Sequence, residues 1–225
     1  MNIVIGEILP LALGIAVSPI PIIAAILMLL SPRAKGTSVG FLVGWVVGIV
    51  VAVTVFTLLA SALPENDDDA SDPTAGWIKI GIGILLLLVA VKQWRGRPTG
   101  DQEPELPGWM KAIDTMTTAK GTGLGFLLSA VNPKNLLMAA AAGVIIGGTA
   151  AGLEAGEEVV AIVVFTVIAA ASVAVPVIAY LVASEKMSGP LESMHQWLLK
   201  ENAVVMAVLL LVIGVAMVGK GVGSF

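Results

Sequence analysis

The sequence of 225 residues contains no cysteine, one histidine and one tyrosine, and only 12% of its residues are charged. The absence of cysteine excludes thiol–disulfide electron carriers, thiolate zinc sites and iron–sulfur clusters. Soluble domains carry roughly 25% charged residues, so a chain that is 57% hydrophobic and so poor in charge does not have the composition of a soluble enzyme. A net charge of -4 without a basic patch argues against a nucleic-acid partner.

What the sequence does contain is long apolar stretches with at most one charged residue each. Runs of about 18 or more such residues indicate membrane-spanning helices. The prediction is an all-α integral membrane protein with six transmembrane helices. The first and fourth stretches exceed the roughly 17–25 residues of a simple span, so they are expected to be tilted or broken. The stretches are Ile3 to Leu30, Val39 to Leu63, Trp77 to Val91, Gly121 to Leu153, Val159 to Ala183 and Asn202 to Gly219.

The connections between these stretches differ in charge. The first, third and fifth contain the lysines and arginines, whereas the second and fourth contain carboxylates and no basic residue. By the positive-inside rule the odd-numbered connections are cytoplasmic. The sequence therefore predicts a multi-pass protein of the inner (plasma) membrane with both termini on the extracytoplasmic side.

The third connection is the longest and separates two groups of three spans. Because three is an odd number, the two groups must have opposite orientations, which is the condition for an inverted repeat. The predicted organisation is a first three-helix repeat over residues 1–94, a cytoplasmic linker over 95–120 and a second repeat over 121–225, in one membrane domain. Trp109, Ile113 and Met116 share one helical face, which predicts a short interfacial helix in the linker.

Proline motifs occur inside both long stretches: Ser18-Pro19-Ile20-Pro21 in the first and Asn132-Pro133-Lys134-Asn135 in the fourth. Proline interrupts a helix, while Ser or Asn followed by Pro is typical of a helix start. Helices 1 and 4 are therefore predicted to be broken at Pro19 and Pro133. Two new helix N-termini near mid-membrane would attract an anion; the alternative is a pair of packing kinks without ligand. The predicted substrate-binding residues are Ser18, Pro19, Pro21, Asn132, Pro133, Lys134 and Asn135.

Lys134 is the charge that lies inside the fourth stretch, where insertion costs on the order of 3 kcal/mol. No carboxylate is apparent at the same depth, so either an anionic substrate group is the expected partner of the ammonium or the buried lysine loses its proton. The side-chain amide of Asn135 would add hydrogen bonds to that group. The alternative is that Lys134 extends to the inner membrane surface.

Other motifs indicate packing rather than chemistry. Gly40, Gly44 and Gly48 recur every four residues, which places them on one face of the second span and permits close helix contact within the chain or in a homodimer. The sequence contains no discernible catalytic set and no intramembrane cluster of metal-ligating residues. The prediction is a protein that is not an enzyme and needs no cofactor or metal.

Several motifs, taken together, are similar to those of one family. In the first half they are Ser18 to Ala25, Leu30-Ser31-Pro32-Arg33, and Gly40 to Gly48 with Trp45; in the second half they are Trp109, Ile113-Asp114-Thr115-Met116, Gly125-Phe126-Leu127-Leu128 and Asn132-Pro133-Lys134-Asn135. They resemble the GAP/Sap family, the glycopeptidolipid- and sulfolipid-addressing proteins of the lysine-exporter (LysE) superfamily. The resemblance implies a six-span inner-membrane exporter with two inverted repeats, associated with outward movement of cell-envelope lipids or glycolipids.

The leading prediction is thus a secondary transporter that exports an anionic amphiphile through a mid-membrane site at the two half-helix N-termini. One alternative is an exporter of amino acids or small metabolites. Another is a non-transporting membrane accessory of a lipid synthesis or secretion complex. The expected partners are the lipid bilayer and a membrane-lipid or small-molecule substrate, with a homodimer as a further option and nucleic acid excluded.

Overall fold

The computed structural model describes residues 1–62, 73–97, 113, 115–148 and 152–224. The long secondary-structure elements formed by these residues are all α-helices, which agrees with the all-α prediction. They are α1 (Asn2–Ala16), α2 (Pro19–Leu30), α3 (Ala34–Ser61), α4 (Pro73–Arg95), α5 (Thr118–Ala130), α6 (Pro133–Gly147) and α7 (Ala155–Val222).

Four helical segments in the described part are long and apolar enough to cross a membrane. They are Ala34–Ser61, Gly76–Arg95, Ala155–Ser184 and Ala203–Val222. Two further spans result if each bent pair counts as one, with α1 and α2 meeting at 51° and α5 and α6 at 61°. The chain is therefore a multi-pass membrane protein with four to six candidate spans.

The fifth connection is helical rather than a loop. Element α7 comprises two helices that meet at a kink; it contains Ala155–Ser184, its first span, and continues through the connection into Ala203–Val222, its second span. The backbone leaves helical geometry at Ala183, where φ is -143° and ψ is 53°. Most residues between the spans are good helix formers, and Gln196 donates a hydrogen bond to Glu192 one turn away at 2.8 Å.

Helix α3 packs along α5 through its glycine stripe. A Cβ on Gly40 would lie 2.6 Å from the carbonyl oxygen of Thr118, and one on Gly44 would collide with the backbone of Thr122. The contact is reciprocal, because a Cβ on Gly121 of α5 would lie 2.8 Å from the carbonyl oxygen of Thr37. The stripe thus serves packing within the chain, and α3 and α5 run parallel with their backbones in contact.

The other long pair is α4 and the second span of α7, which are antiparallel. A Cβ on Gly221 would lie 2.8 Å from the carbonyl oxygen of Gly76, and one on Gly83 would lie 2.9 Å from that of Gly214. Helices α1 and α2 pack mainly against α7, and α6 packs against α3 and α1. Helices α2 and α6 are largely buried in the helix assembly, whereas α5 buries only Gly121, Gly125 and Ser129.

The linker between α4 and α5 lies largely outside the described residues, and so do Trp109 and the first part of the predicted interfacial helix. Two of the residues assigned to that helix are described. Ile113 and Met116 are buried and belong to the main hydrophobic core. Thr118 already begins α5.

Candidate functional site

Both bent pairs are interrupted immediately before a proline. Helix α1 ends at Ala16 and α2 begins at Pro19, with Ser18 in an extended conformation between them. Helix α5 ends at Ala130 and α6 begins at Pro133, with Asn132 extended in the same way. The physical cause is common to both, because proline has no N–H to donate and forces the preceding residue out of helical geometry.

The two residues before these prolines do not act alike. The side-chain oxygen of Asn132 accepts a hydrogen bond from the backbone N–H of Lys134 at 3.1 Å, which caps the start of α6. Ser18 occupies the equivalent position before α2, but its hydroxyl forms no capping bond to the described start of that helix. The predicted pair of capped starts is thus realised at one break only.

Lys134 connects the two breaks. Its side chain is buried, with 6% of the residue exposed, and its Nζ donates a hydrogen bond to the carbonyl oxygen of Gly14 at 2.7 Å. Gly14 lies in the last turn of α1, where carbonyl groups lack a partner within the helix. A cation is also favoured at that end by the helix dipole. The ammonium of Lys134 therefore completes the C-terminal end of α1, on the opposite side of the break from the N-terminus of α2.

The side chains of two methionines and an isoleucine surround this contact at Gly14. A Cβ on Gly14 would lie 2.6 Å from Cε of Met138 and 2.7 Å from Cδ1 of Ile213, so the absence of a side chain at Gly14 lets α6 and α7 approach α1. Nζ of Lys134 also lies 3.9 Å from the sulfur of Met206, on the second span of α7. Lys134 consequently links α6, α1 and α7 at one point.

Asn135 does for α5 what Lys134 does for α1. It is fully buried, and its Nδ2 donates to the carbonyl oxygen of Leu128 at 3.0 Å. Leu128 lies in the last turn of α5, so this bond satisfies another carbonyl freed by a break. The other end of the amide, Oδ1, is buried without a hydrogen-bond partner among the described residues. Successive residues of α6 thus cap the first halves of both broken helices, and one acceptor is left over.

The charge of Lys134 is not neutralised by the protein in its described part. No described carboxylate lies within ion-pair distance of its Nζ, and the Gly14 carbonyl contributes only a partial charge. Glu7, on the same helix as Gly14, instead pairs with Lys220 at 3.4 Å, and both side chains are about one-third exposed. A buried lysine Nζ and a buried amide oxygen therefore belong to adjacent residues at the junction of two broken spans.

The sequence matches the model of one protein family. The profile of the family described as Sap, sulfolipid-1-addressing protein, matches residues 8–223. The chain belongs to this family. No significant match was found among curated proteins, and none among solved structures.

The predicted site of this Sap family member is only partly assembled by direct contacts. Ser18, just before α2, and Pro19 and Pro21 on α2 are buried, whereas Asn132 is half-buried and Pro133 is exposed. The side-chain hydrogen bonds of Lys134 and Asn135 go to Gly14 and Leu128, and not to the Ser18-to-Pro21 motif.

Three contact residues were not among the sequence predictions: Gly14, Leu128 and Met206. A signal existed for the first two. Each lies four residues before the residue that precedes the proline of its break. The carbonyl at that position loses its N–H donor when the helix stops. No comparable signal marks Met206, because its proximity to Lys134 depends on how α7 packs against α6 and α1.

Proposed function

We propose that the chain is a secondary transporter of the inner membrane that exports an anionic amphiphile, a cell-envelope lipid or glycolipid. Membership of a lipid-addressing family and the multi-pass helices support the lipid class. The observation that carries the transport proposal is Lys134, a buried ammonium at the junction of two broken helices without a carboxylate partner in the described part. No catalytic step, cofactor or metal is part of the proposal.

The chemistry of the junction suits a phosphate or sulfate group that carries hydroxyls. An ammonium has three N–H donors, of which one bonds Gly14 and another faces the sulfur of Met206 at a long 3.9 Å. An anionic oxygen would be a stronger acceptor than either neutral partner. A substrate hydroxyl could donate to Oδ1 of Asn135, which otherwise has no described partner. The remaining walls of the substrate site are proposed to be formed by Ser18, Pro19, Pro21, Asn132 and Pro133.

The transport cycle is proposed to use two inverted three-helix repeats, over residues 1–94 and 121–225. The packing supports exchange of contacts between the halves, because α5 and α6 of the second half lie against α3 of the first, and α1 and α2 of the first half lie against α7 of the second. The third spans of the halves, α4 and the second span of α7, pair with each other antiparallel. Odd-numbered connections are proposed to face the cytoplasm, so that both termini face outward.

The proposal is tested with purified protein in liposomes that contain a fluorescent sulfated glycolipid in one leaflet. We expect Lys134→Met to lower the rate of lipid movement at least tenfold, because the ammonium that attracts the headgroup is removed while side-chain length is nearly kept. Lys79→Met is the matched control, since Lys79 lies near the start of α4 and has no role in the proposed site.

Folding of each variant is checked by its thermal unfolding midpoint in detergent, so that a collapsed protein is not mistaken for an inactive one. Equal lipid movement by the wild type and a folded Lys134→Met variant would contradict the site. Efflux of an amino acid without lipid movement would instead support the small-metabolite exporter, and a wild type that moves neither solute would support the accessory alternative.

A further inference from the structure

A groove lies between α4 and the second span of α7, away from Lys134. Where these helices carry glycines, at Gly83 and Gly214, their backbones touch. Toward the end of α4 the facing residues are larger and a groove of about 430 Å³ remains between them. This volume falls within the range of roughly 300–1,000 Å³ that is typical of ligand pockets. The walls are apolar and include Val91, Val208 and Leu211.

The groove has a cationic end. Arg95 lines it at the last residue of α4, beside Trp94. The guanidinium of Arg97 lies 4.2 Å from the centre of the Trp94 ring and donates to the carbonyl oxygen of Trp94 at 2.8 Å. No described carboxylate lies within ion-pair distance of Arg95, so its charge is open to a partner outside the described chain. Arginine and tryptophan together are typical of the membrane–water interface.

A second groove in the membrane region provides a comparison for the groove at Arg95. It lies between α3 and the first span of α7, measures about 350 Å³ and is lined only by Val, Ile and Thr residues such as Val50 and Val163. None of the residues that line it carries a charge that could pair with an anionic headgroup. The groove at Arg95 joins a comparable apolar wall to a guanidinium, which matches a molecule with an acyl chain at one end and an anionic oxygen at the other.

We propose that the groove binds an anionic membrane lipid, with the headgroup on Arg95 and an acyl chain between Val91, Val208 and Leu211. A free soluble anion has no acyl chain to bury against the apolar walls, and a neutral lipid has no negative charge to pair with the arginine. Lys134 does not line the groove, so lipid binding here is independent of the proposed export and stands or falls by its own test.

The test is native mass spectrometry of the full chain released from micelles that contain either phosphatidylglycerol or phosphatidylcholine. We expect one phosphatidylglycerol to be retained in preference to phosphatidylcholine. Arg95→Gln should lower that retention about fivefold, because a basic side chain near a membrane surface contributes roughly 1 kcal/mol to attraction of an anionic lipid. Lys79→Gln, at the opposite end of α4, is the matched control and should leave retention unchanged.

A second pair of variants tests the groove itself rather than its charge. Val208→Trp should fill the groove and abolish selective retention, whereas Val215→Trp, on an exposed position of the same span that does not line the groove, should not. Equal losses in Arg95→Gln and Lys79→Gln would show only diffuse attraction and overturn the proposal, as would full retention by Val208→Trp. A wild type that moves no glycolipid but still retains phosphatidylglycerol selectively would refute the proposed export and leave this inference standing.

Discussion

The break between α1 and α2 and the break between α5 and α6 both set a proline at the start of the second half-helix, yet they are stabilised differently. Asn132 caps its own helix, and Lys134 and Asn135 behind it satisfy carbonyl groups on both first halves. Ser18 makes no capping bond, and the residues behind it are apolar. Residues at the second break therefore supply the hydrogen-bond donors for the freed carbonyl groups at both breaks, and the end of α1 depends on Lys134 of α6.

The first halves also differ in how they are anchored. Helix α5 lies against the backbone of α3 along reciprocal glycines, whereas α1 at Gly14 meets the ends of flexible side chains. A backbone contact cannot relax, but a methionine side chain can. The second broken span thus has the closer backbone packing, and we expect the first to move more readily relative to its surroundings.

The largest expected effect tests this difference in anchoring. Gly44→Ala should lower the free energy of unfolding by about 2 kcal/mol, because its Cβ would collide with the backbone of Thr122 and α3 would have to move away from α5. Gly14→Ala should cost less than about 1 kcal/mol, since the ends of Met138 and Ile213 can shift. Thermal unfolding in detergent measures both, and equal losses would show that the two spans are anchored alike.

The next effect tests the dependence of α5 on α6. Asn135→Leu keeps the approximate volume but leaves the Leu128 carbonyl without its donor, which should cost about 1–2 kcal/mol. The same unfolding assay applies. Asn135→Gln is a useful companion, because it keeps an amide and should recover part of the loss. A fully stable Asn135→Leu variant would mean that this bond contributes nothing to holding the break.

The smallest effect compares the two cap positions directly. Asn132→Ala should destabilise the protein by about 1 kcal/mol through loss of its capping bond. Ser18→Ala should cost only a few tenths of that, because the serine hydroxyl makes no such bond. If the two substitutions cost the same, the asymmetry between the breaks does not lie in their caps.

Much of the helix pattern follows from local rules that the residues obey individually. Apolar length indicates the spans, and Pro19 and Pro133 coincide with the starts of α2 and α6. The connection after Ser184 is an instructive exception. Its charged residues suggested a loop, but they are also good helix formers, so α7 continues through them with a departure from helical geometry at Ala183.

The site shows where local rules stop. Lys134 was noticed because a charge inside an apolar span is costly, and Asn132 because of its place before a proline. A substrate anion is the predicted partner of Lys134 and stays a prediction, while the structure adds a partner within the chain, the carbonyl of Gly14, 120 positions away in sequence. The break identifies the Gly14 carbonyl as one that loses its donor, but the sequence does not show that Lys134, on another helix, supplies the replacement.

The sequence by itself determined that the chain is helical, that it belongs in a membrane and that its polar chemistry is concentrated near Lys134, since these follow from composition, run length and the cost of a buried charge. Only the tertiary structure decided which carbonyls Lys134 and Asn135 satisfy, that the glycine stripe of α3 is covered by α5, and that Arg95 closes an apolar groove. Those outcomes depend on which helices meet and at what height, and this is set by packing over the whole molecule rather than by any local run of residues.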